Sequence, residues 1–449
     1  MASIEQKMAN NMNMMGAFSK ATELKSRILF TLVALIIYRV GAYIPLPGVD
    51  VEQLRSFFEQ NSGGVLDMFN MFTGGALGRM ALFTLGIMPY ITASIVINLM
   101  TVASKKMEAL KKEGEQGRRV INQYTRYLTI IIACVHGYGV STFLQSSGAV
   151  LNPGPVFQFV TVVTFVGSTM FLMWLGEQIT ARGIGNGISL LIFAGIVAEL
   201  PKELALLFEN VRSGQSSILF LLAIFALAAA LIALIVYVER AQRRIPVQYP
   251  RRQVGNKMYE GQQSYLPLRI NMSGVIPAIF ASALLLVPTS IASFAAEGGP
   301  EWVQTMAIYL GHGKPLFIAL YAVLIVFFCF FYTNVQFNPD ESAENLKKGN
   351  GYVPGIRPGK NTSEFLSFVV TRLTTIGAAY MAFVCIVPEL FTAKFDTRFI
   401  LLGGTSLLII VSVIIDTISQ VQGHLISHQY DGLMKKANFN SKRRGGRMR

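Results

Sequence analysis

The feature that most constrains this chain is a series of ten apolar runs, each close to the length that crosses a membrane. Inside hydrocarbon no water pairs with backbone N–H and C=O groups, so a single segment entering it must satisfy them internally as a helix. About 20 mostly apolar residues are needed for that. The runs extend from Ile28 to Ile44, Met80 to Val102, Tyr127 to Leu144, Val156 to Leu175, Ile184 to Leu200, Ile218 to Val238, Ser273 to Phe294, Leu316 to Asn334, Thr371 to Val387, and Phe399 to Ile418. The fold class that follows is an all-α integral membrane protein with ten transmembrane helices. Composition closes off soluble alternatives, since 52% of the 449 residues are hydrophobic and 14% charged. An ordinary soluble domain has about 25% charged residues, and so little charge cannot coat a soluble globule of this size. Residues 1–27 are polar at first and lack the apolar core and cleavage site of a signal peptide, so the first run is expected to stay as an anchor.

Orientation comes from Lys and Arg, which accumulate in cytoplasmic loops. With the N-terminus in the cytoplasm, the loops and tails on that side hold 30 of the 39 Lys and Arg residues; the opposite side holds 7, and Arg39 and Arg372 fall within runs. Both termini are therefore expected in the cytoplasm. The net charge of +14 then belongs to membrane topology and not to direct nucleic-acid binding.

Five runs lie within residues 28–200 and five within 218–418, joined by an outer loop at 201–217. An odd number per half inverts the second half relative to the first, an arrangement found in many transporters. A cytoplasmic N-tail (1–27) and a basic C-tail (419–449) flank the two halves. Between the first two runs, SGGVLDMFNMFTGGALGR (Ser62 to Arg79) is apolar and helical in character but too short to span. One reading is a re-entrant plug helix over 62–78 built on Val65, Leu66, Met68, Phe69, Asn70, Met71 and Phe72; the other is a helix on the membrane surface. Gly74 and Gly75 would let the chain turn after it.

Two long cytoplasmic loops, 239–270 and 335–370, stand out by composition. The first alternates basic and β-favouring residues around Pro246 and Pro250, the pattern of a projecting hairpin, and the second holds Arg357 in a Pro/Gly-rich tip. Arg243, Arg244, Arg251, Arg252 and Lys257 in the first, with Lys347, Lys348 and Arg357 in the second, are candidates for docking an acidic or nucleic-acid-bearing partner. The alternative is a pair of solvated loops whose charge only holds topology.

Signals for catalysis fail on inspection. Cys134, Cys329 and Cys385 fall inside apolar runs with no CxxC pair, and His424 and His428 have the spacing of a metal pair but no third ligand nearby. PGIRPGKN (Pro354 to Asn361) departs from a phosphate loop at its first and last positions, and the glycines of ARGIGNGIS follow no soluble strand. No enzyme activity, metal or cofactor is expected. Arg39, near the outer end of its run, is expected to snorkel to the interface. The runs show no relay of intramembrane carboxylates, which counts against a proton-driven carrier. A ten-span secondary transporter of a small solute is nevertheless the alternative to a channel.

TLGIMPYITASIVINLM (Thr84 to Met100) and MWLGEQITARGIGNGISLLIFAGIV (Met173 to Val197) resemble the two signature segments of the SecY family. NMSGVIPAIFASALLLVP from Asn271, FCFFYTNVQFNP from Phe328, NLKKGNGYVPGIRPG from Asn345 and GGTSLLIIVSVIID from Gly403 resemble it in the same order. The resemblance implies an hourglass pore between two five-helix halves, closed by a plug and by a ring of Ile87, Ile91, Ile188, Ile192, Ile279 and Ile409. Ile87 with Ile91, and Ile188 with Ile192, share a helix face at i,i+4. An aliphatic ring offers water and ions no hydrogen bonds, so a narrow one can dewet and seal. The second and seventh runs would part sideways to release hydrophobic segments into lipid, with Thr92, Ser94, Asn98, Asn186 and Ser282 as polar groups of that gate; Asn98 departs from the longer Gln usual there. The function implied is conduction of unfolded secretory proteins across the inner membrane. Implied partners are a SecE-like clamp, a SecG-like subunit, the SecA ATPase motor, the ribosome, signal peptides, unfolded preproteins and membrane lipids. The basic loops resemble those that receive the motor or the ribosome, and energy must come from such a partner.

Overall fold

A computed structural model of the chain describes residues 22–50, 52–54, 73–146, 148–214, 217–250, 252–254, 257–259, 263–295, 314–395 and 403–445. Its helices, in chain order, are α1 (Thr22–Gly41), α2 (Met88–Ala103), α3 (Lys105–Lys112), α4 (Glu115–Ser146), α5 (Pro155–Arg182), α6 (Gly187–Arg212) and α7 (Ile218–Arg240), then α8 (Ile276–Ala295), α9 (Pro315–Gln336), α10 (Pro339–Lys348), α11 (Lys360–Phe395) and α12 (Gly404–Gly445). A helix stands over each of the ten apolar runs, with α3 and α10 lying between them. Among the described residues, α4, α5, α7, α9, α11 and α12 are long and apolar enough to cross a membrane, while α2 and the stretch Ile276–Leu285 of α8 are apolar but shorter. Charge dilutes the other two: α1 opens on Glu23, Lys25 and Arg27, and α6 closes on Lys202, Glu203, Glu209 and Arg212.

The helices outrun the apolar runs because a backbone that leaves lipid can keep its own i→i−4 bonds in water. Thus α4 begins at Glu115, α11 extends from Lys360 through Pro388 to Phe395, and α12 continues through the C-tail to Gly445. The 201–217 segment, expected as a loop, is helical as far as Arg212, α6 carrying on through Pro201. The second run is corrected in the opposite sense. Residues 80–87 form successive turns, with φ of 41° at Met80 and 54° at Gly86, and α2 opens with Pro89 in its first turn, where a missing N–H is no loss.

Contacts gather α1, α2, α4, α5 and α6 into one group and α7, α8, α9, α11 and α12 into another. The groups meet where α2 packs on α8 and where α12 packs on α6 and α1. The main apolar core runs along these junctions and includes Ile91, Leu191, Ala281, Leu408 and Ile409. A second cluster seats the loop after α1 on α4 and α5, with Leu46, Leu77, Met80 and Leu85 against Leu144, Phe157 and Phe165.

On the side marked cytoplasmic by charge, strands β1 (Gln242–Gln248) and β4 (Gln263–Arg269) pair antiparallel, Gln242 opposite Arg269 and Gln248 opposite Gln263. Short strands β2 (Arg252–Val254) and β3 (Lys257–Tyr259) extend this hairpin. Ile245 and Val247 of β1 alternate inward as strand geometry requires, and with Leu268 they are buried. Asn338 caps α10, its Oδ1 accepting from the N–H groups of Asp340 and Glu341 at 3.1 and 3.5 Å. In α3, the Lys112 ammonium beside Glu108 holds that carboxyl below the usual range.

Candidate pore, lateral seam and docking loops

Ile87 precedes the first turn of α2 and Ile91 follows one turn on; Ile192 comes from α6 and Ile279 from α8. These four side chains line one small cavity together with Tyr38, Met88, Leu191 and Ser282. It has room for about one water molecule. Ile87, Ile91 and Ile192 are buried there, and Ile279 is half-buried. The remaining expected ring members stand apart from the cavity. Ile409 is buried in the core of α12, and Ile188 leans toward Gly176 of α5, where a β-carbon would approach its Cγ1 to 3.2 Å.

Val65, Leu66, Met68, Phe69, Asn70, Met71 and Phe72, expected to form the plug, lie outside the described residues. The turn that follows them is tightly held. Gly74 and Gly75 adopt φ of 66° and 77°, in the left-handed region that glycine enters without strain. The Gly74 carbonyl accepts from the Arg39 guanidinium at 2.7 Å and from that of Arg79 at 3.1 Å, and Tyr38 Oη donates to the Thr73 carbonyl at 3.4 Å. Arg79 also pairs with Glu199 of α6 at 3.6 Å. Both guanidinium groups stack on Tyr43, at 4.8 Å from the ring centre for Arg39 and 4.2 Å for Arg79. Arg39 thereby ties α1 to the turn through the Gly74 carbonyl.

Where α2 packs on α8, both helices contribute to the main apolar core, among them Ile91 and Ile95 with Ala278 and Ala281. Thr92 Oγ1 donates back to the Met88 carbonyl at 3.1 Å, and Ser282 Oγ to the Ile279 carbonyl at 2.9 Å, so both hydroxyls bond within their own helices. Ser94 and Asn98 are half-buried on α2. Asn186 stands at the start of α6 and not on α2 or α8. It caps α6, its Oδ1 accepting from the N–H groups of Ile188 and Ser189 at 3.2 and 3.5 Å.

Of the candidate docking residues, Arg243 and Arg244 are exposed on β1, Lys347 and Lys348 on α10, and Arg357 at the tip between α10 and α11. Lys348 pairs with Glu344 at 2.9 Å. The Arg357 carbonyl is fixed by Thr362 Oγ1 at 2.9 Å, and the tip is braced by Ser363 Oγ donating to Asp340. Arg252 and Lys257 fall on β2 and β3, and Arg251 lies outside the described residues.

The SecY family model matches residues 81–418. The chain belongs to the SecY family. Protein translocase subunit SecY of Pseudomonas aeruginosa is 53% identical over 419 residues, covering 93% of this chain and 95% of its own. The same subunit of Escherichia coli K12 is 51% identical over 422 residues, with coverage of 93% and 95%. Among solved structures, a SecY channel described by its plug domain, which stabilises the closed state and maintains a membrane seal, is similar with a TM-score of 0.68 at 20% identity, over 90% of this chain and 93% of that one. Sec61 in the canine ribosome–channel complex is similar with a TM-score of 0.63 at 19% identity over the same shares. At that identity these structures speak for the fold.

As a SecY-family chain, it holds residues at the cavity that sequence reasoning passed over. Tyr38, Met88 and Leu191 line it beside the isoleucines. Met88 and Leu191 are chain neighbours of Ile87 and Ile192, so the ring positions already pointed to them. Tyr38 carried no signal, because only the tertiary packing of α1 brings it to the cavity.

Proposed function

We propose that this chain is the protein-conducting subunit of a bacterial inner-membrane translocon, with ten transmembrane helices in two inverted halves, a plug between the first two, and both termini in the cytoplasm. Unfolded secretory proteins would pass between the halves, and hydrophobic segments would leave sideways between α2 and α8. The observation that carries this reading is the cavity that Ile87, Ile91, Ile192 and Ile279 line beside Tyr38 and Ser282, drawn from both helix groups. Aliphatic side chains at a constriction offer water no hydrogen bonds when it is narrow and favour no particular passing residue when it is wide. The translocase names of relatives that align over most of this chain support conduction of protein over carriage of a small solute.

Opening then depends on the α2–α8 seam, whose apolar contacts and self-satisfied hydroxyls leave few directional bonds to break. Driving force would come from a partner seated on Arg243, Arg244, Lys347, Lys348 and Arg357: a SecA-type ATPase, or a ribosome of the kind that Sec61 meets in its complex. SecE-like and SecG-like subunits would complete the assembly. The test is ATP-dependent import of an unfolded precursor into vesicles holding this protein with motor and clamp. Import that needs this chain is expected; none with competent partners present would sink the proposal.

A further inference from the structure

The two long cytoplasmic loops are joined to each other in this fold. Gln248, the last residue of β1, and Tyr352 exchange both backbone hydrogen bonds, at 2.9 and 3.0 Å, and the Tyr352 hydroxyl meets Gln248 Oε1 at 3.3 Å. Beneath this join, Ile245 and Leu268 of the hairpin, Ala343 and Val353 of the second loop, and Leu366 and Val370 of α11 form one apolar core. The base of the hairpin is closed as well. The Asn271 amide donates to the Glu239 carboxylate at 2.7 Å, and the Ile270 N–H to the Ala241 carbonyl at 3.2 Å. Gly377 of α11 lies against that base, close enough that a β-carbon there would stand 3.1 Å from the Ile270 carbonyl. The 36 residues of α11 make a helix about 54 Å long. It runs from the loop tip into the helix bundle, where it packs on α12, the helix that carries Ile409.

We propose that the two loops and the cytoplasmic end of α11 form one rigid body, a lever that passes a partner's push at the loop tips to α11 without the loops separating. This rests on the docking reading above and adds how the load is transmitted. Loops linked only through the chain would flex independently and absorb the push. A close-packed core shared by three segments resists such deformation and moves as a unit.

A disulfide tests the first half of the claim. Strand partners that exchange both hydrogen bonds stand about 5.5 Å apart at Cα, within disulfide range, so Gln248→Cys with Tyr352→Cys should bridge under mild oxidation. Cys329 and Cys385 are buried, and Cys134→Ala removes the half-exposed native thiol. In the complete complex in vesicles, motor-driven import by the bridged form is expected to stay within about twofold of the reduced form. Failure of the bridge to form, or a larger loss that reductant reverses, would show that the loops part and overturn the lever. Transmission is tested by loosening the shared core with Leu268→Ala and Val353→Ala. Import should fall about tenfold while motor binding changes less than about threefold, and adding the 248–352 disulfide should restore import. Import unaffected by the loosening overturns the lever. Failure of the docking reading itself looks different: Arg357→Glu would then leave motor binding unchanged.

Discussion

At the scale of single residues, the segment from Gly185 to Ser189 separates what the sequence displays from what only packing decides. Asn186 was readable as a polar group near a gate, yet it occupies the N-cap of α6 and satisfies two otherwise unpaired N–H groups. Beside it, Gly187 is required by close approach, because a β-carbon there would strike the Gly176 carbonyl of α5. No run of residue types announces that α5 and α6 pass so near. Two substitutions weigh the two roles. Asn186→Ala removes a cap and is expected to cost about 1 kcal/mol. Gly187→Ala forces backbone apart and should cost about 1–3 kcal/mol. Thermal unfolding of the purified complex ranks them; a Gly187→Ala midpoint equal to the wild type would mean the helices are not in backbone contact. Arg39 makes the same point with charge: its place near the end of its apolar run was legible, but its bond to Gly74 depends on a turn folded from residues far along the chain.

At the scale of elements, the apolar runs located every long helix, since burial of backbone in lipid leaves no other choice, but they set the ends poorly. The ends depend on capping and on polar helix that needs no lipid, which hydropathy does not record. The isoleucines that line the cavity were partly legible in the same way. Spacing puts Ile87 over Ile91, while only packing separates Ile192, which lines the cavity, from Ile188, which does not. Polar substitution follows directly. Ile91→Asn with Ile192→Asn replaces two apolar side chains of the cavity lining with amides, and should admit ions through the resting channel. Planar-bilayer current is the readout, and a resting conductance equal to that of the wild type would exclude these residues from the seal. The seam makes a contrasting prediction. Because the hydroxyls of Thr92 and Ser282 bond within their own helices, Thr92→Val and Ser282→Ala should each shift stability by less than about 0.5 kcal/mol and leave resting conductance unchanged. A loss several times larger would show that these groups hold α2 and α8 together.

At the scale of the whole molecule, the ten-span arrangement proposed above divides Lys and Arg 30 to one side and 7 to the other, a bias that would act on all the helices at once. Helices that fall short alone, such as α1, α2, α6 and α8, are then expected to be held across the membrane by the neighbours they pack on and by the charge they would have to drag across. Three exposed positions test this. Asn152 follows α4, Ser213 follows α6, and Asn350 lies beyond α9. Asn152 and Ser213 are separated by α5 and α6, an even number, and belong outside. Between Ser213 and Asn350 stand three expected spans, α7, α8 and α9, an odd number that would return the chain to the cytoplasm, the short α10 not spanning. A membrane-impermeant maleimide should therefore label Asn152→Cys and Ser213→Cys from the outer face, and Asn350→Cys only in inverted vesicles. If α6 failed to cross, Ser213→Cys would label with the cytoplasmic set. If α8 failed, Asn350→Cys would label together with Ser213→Cys. Either pattern would break the ten-span count and, with it, the placing of the basic loops on the side where a motor could reach them.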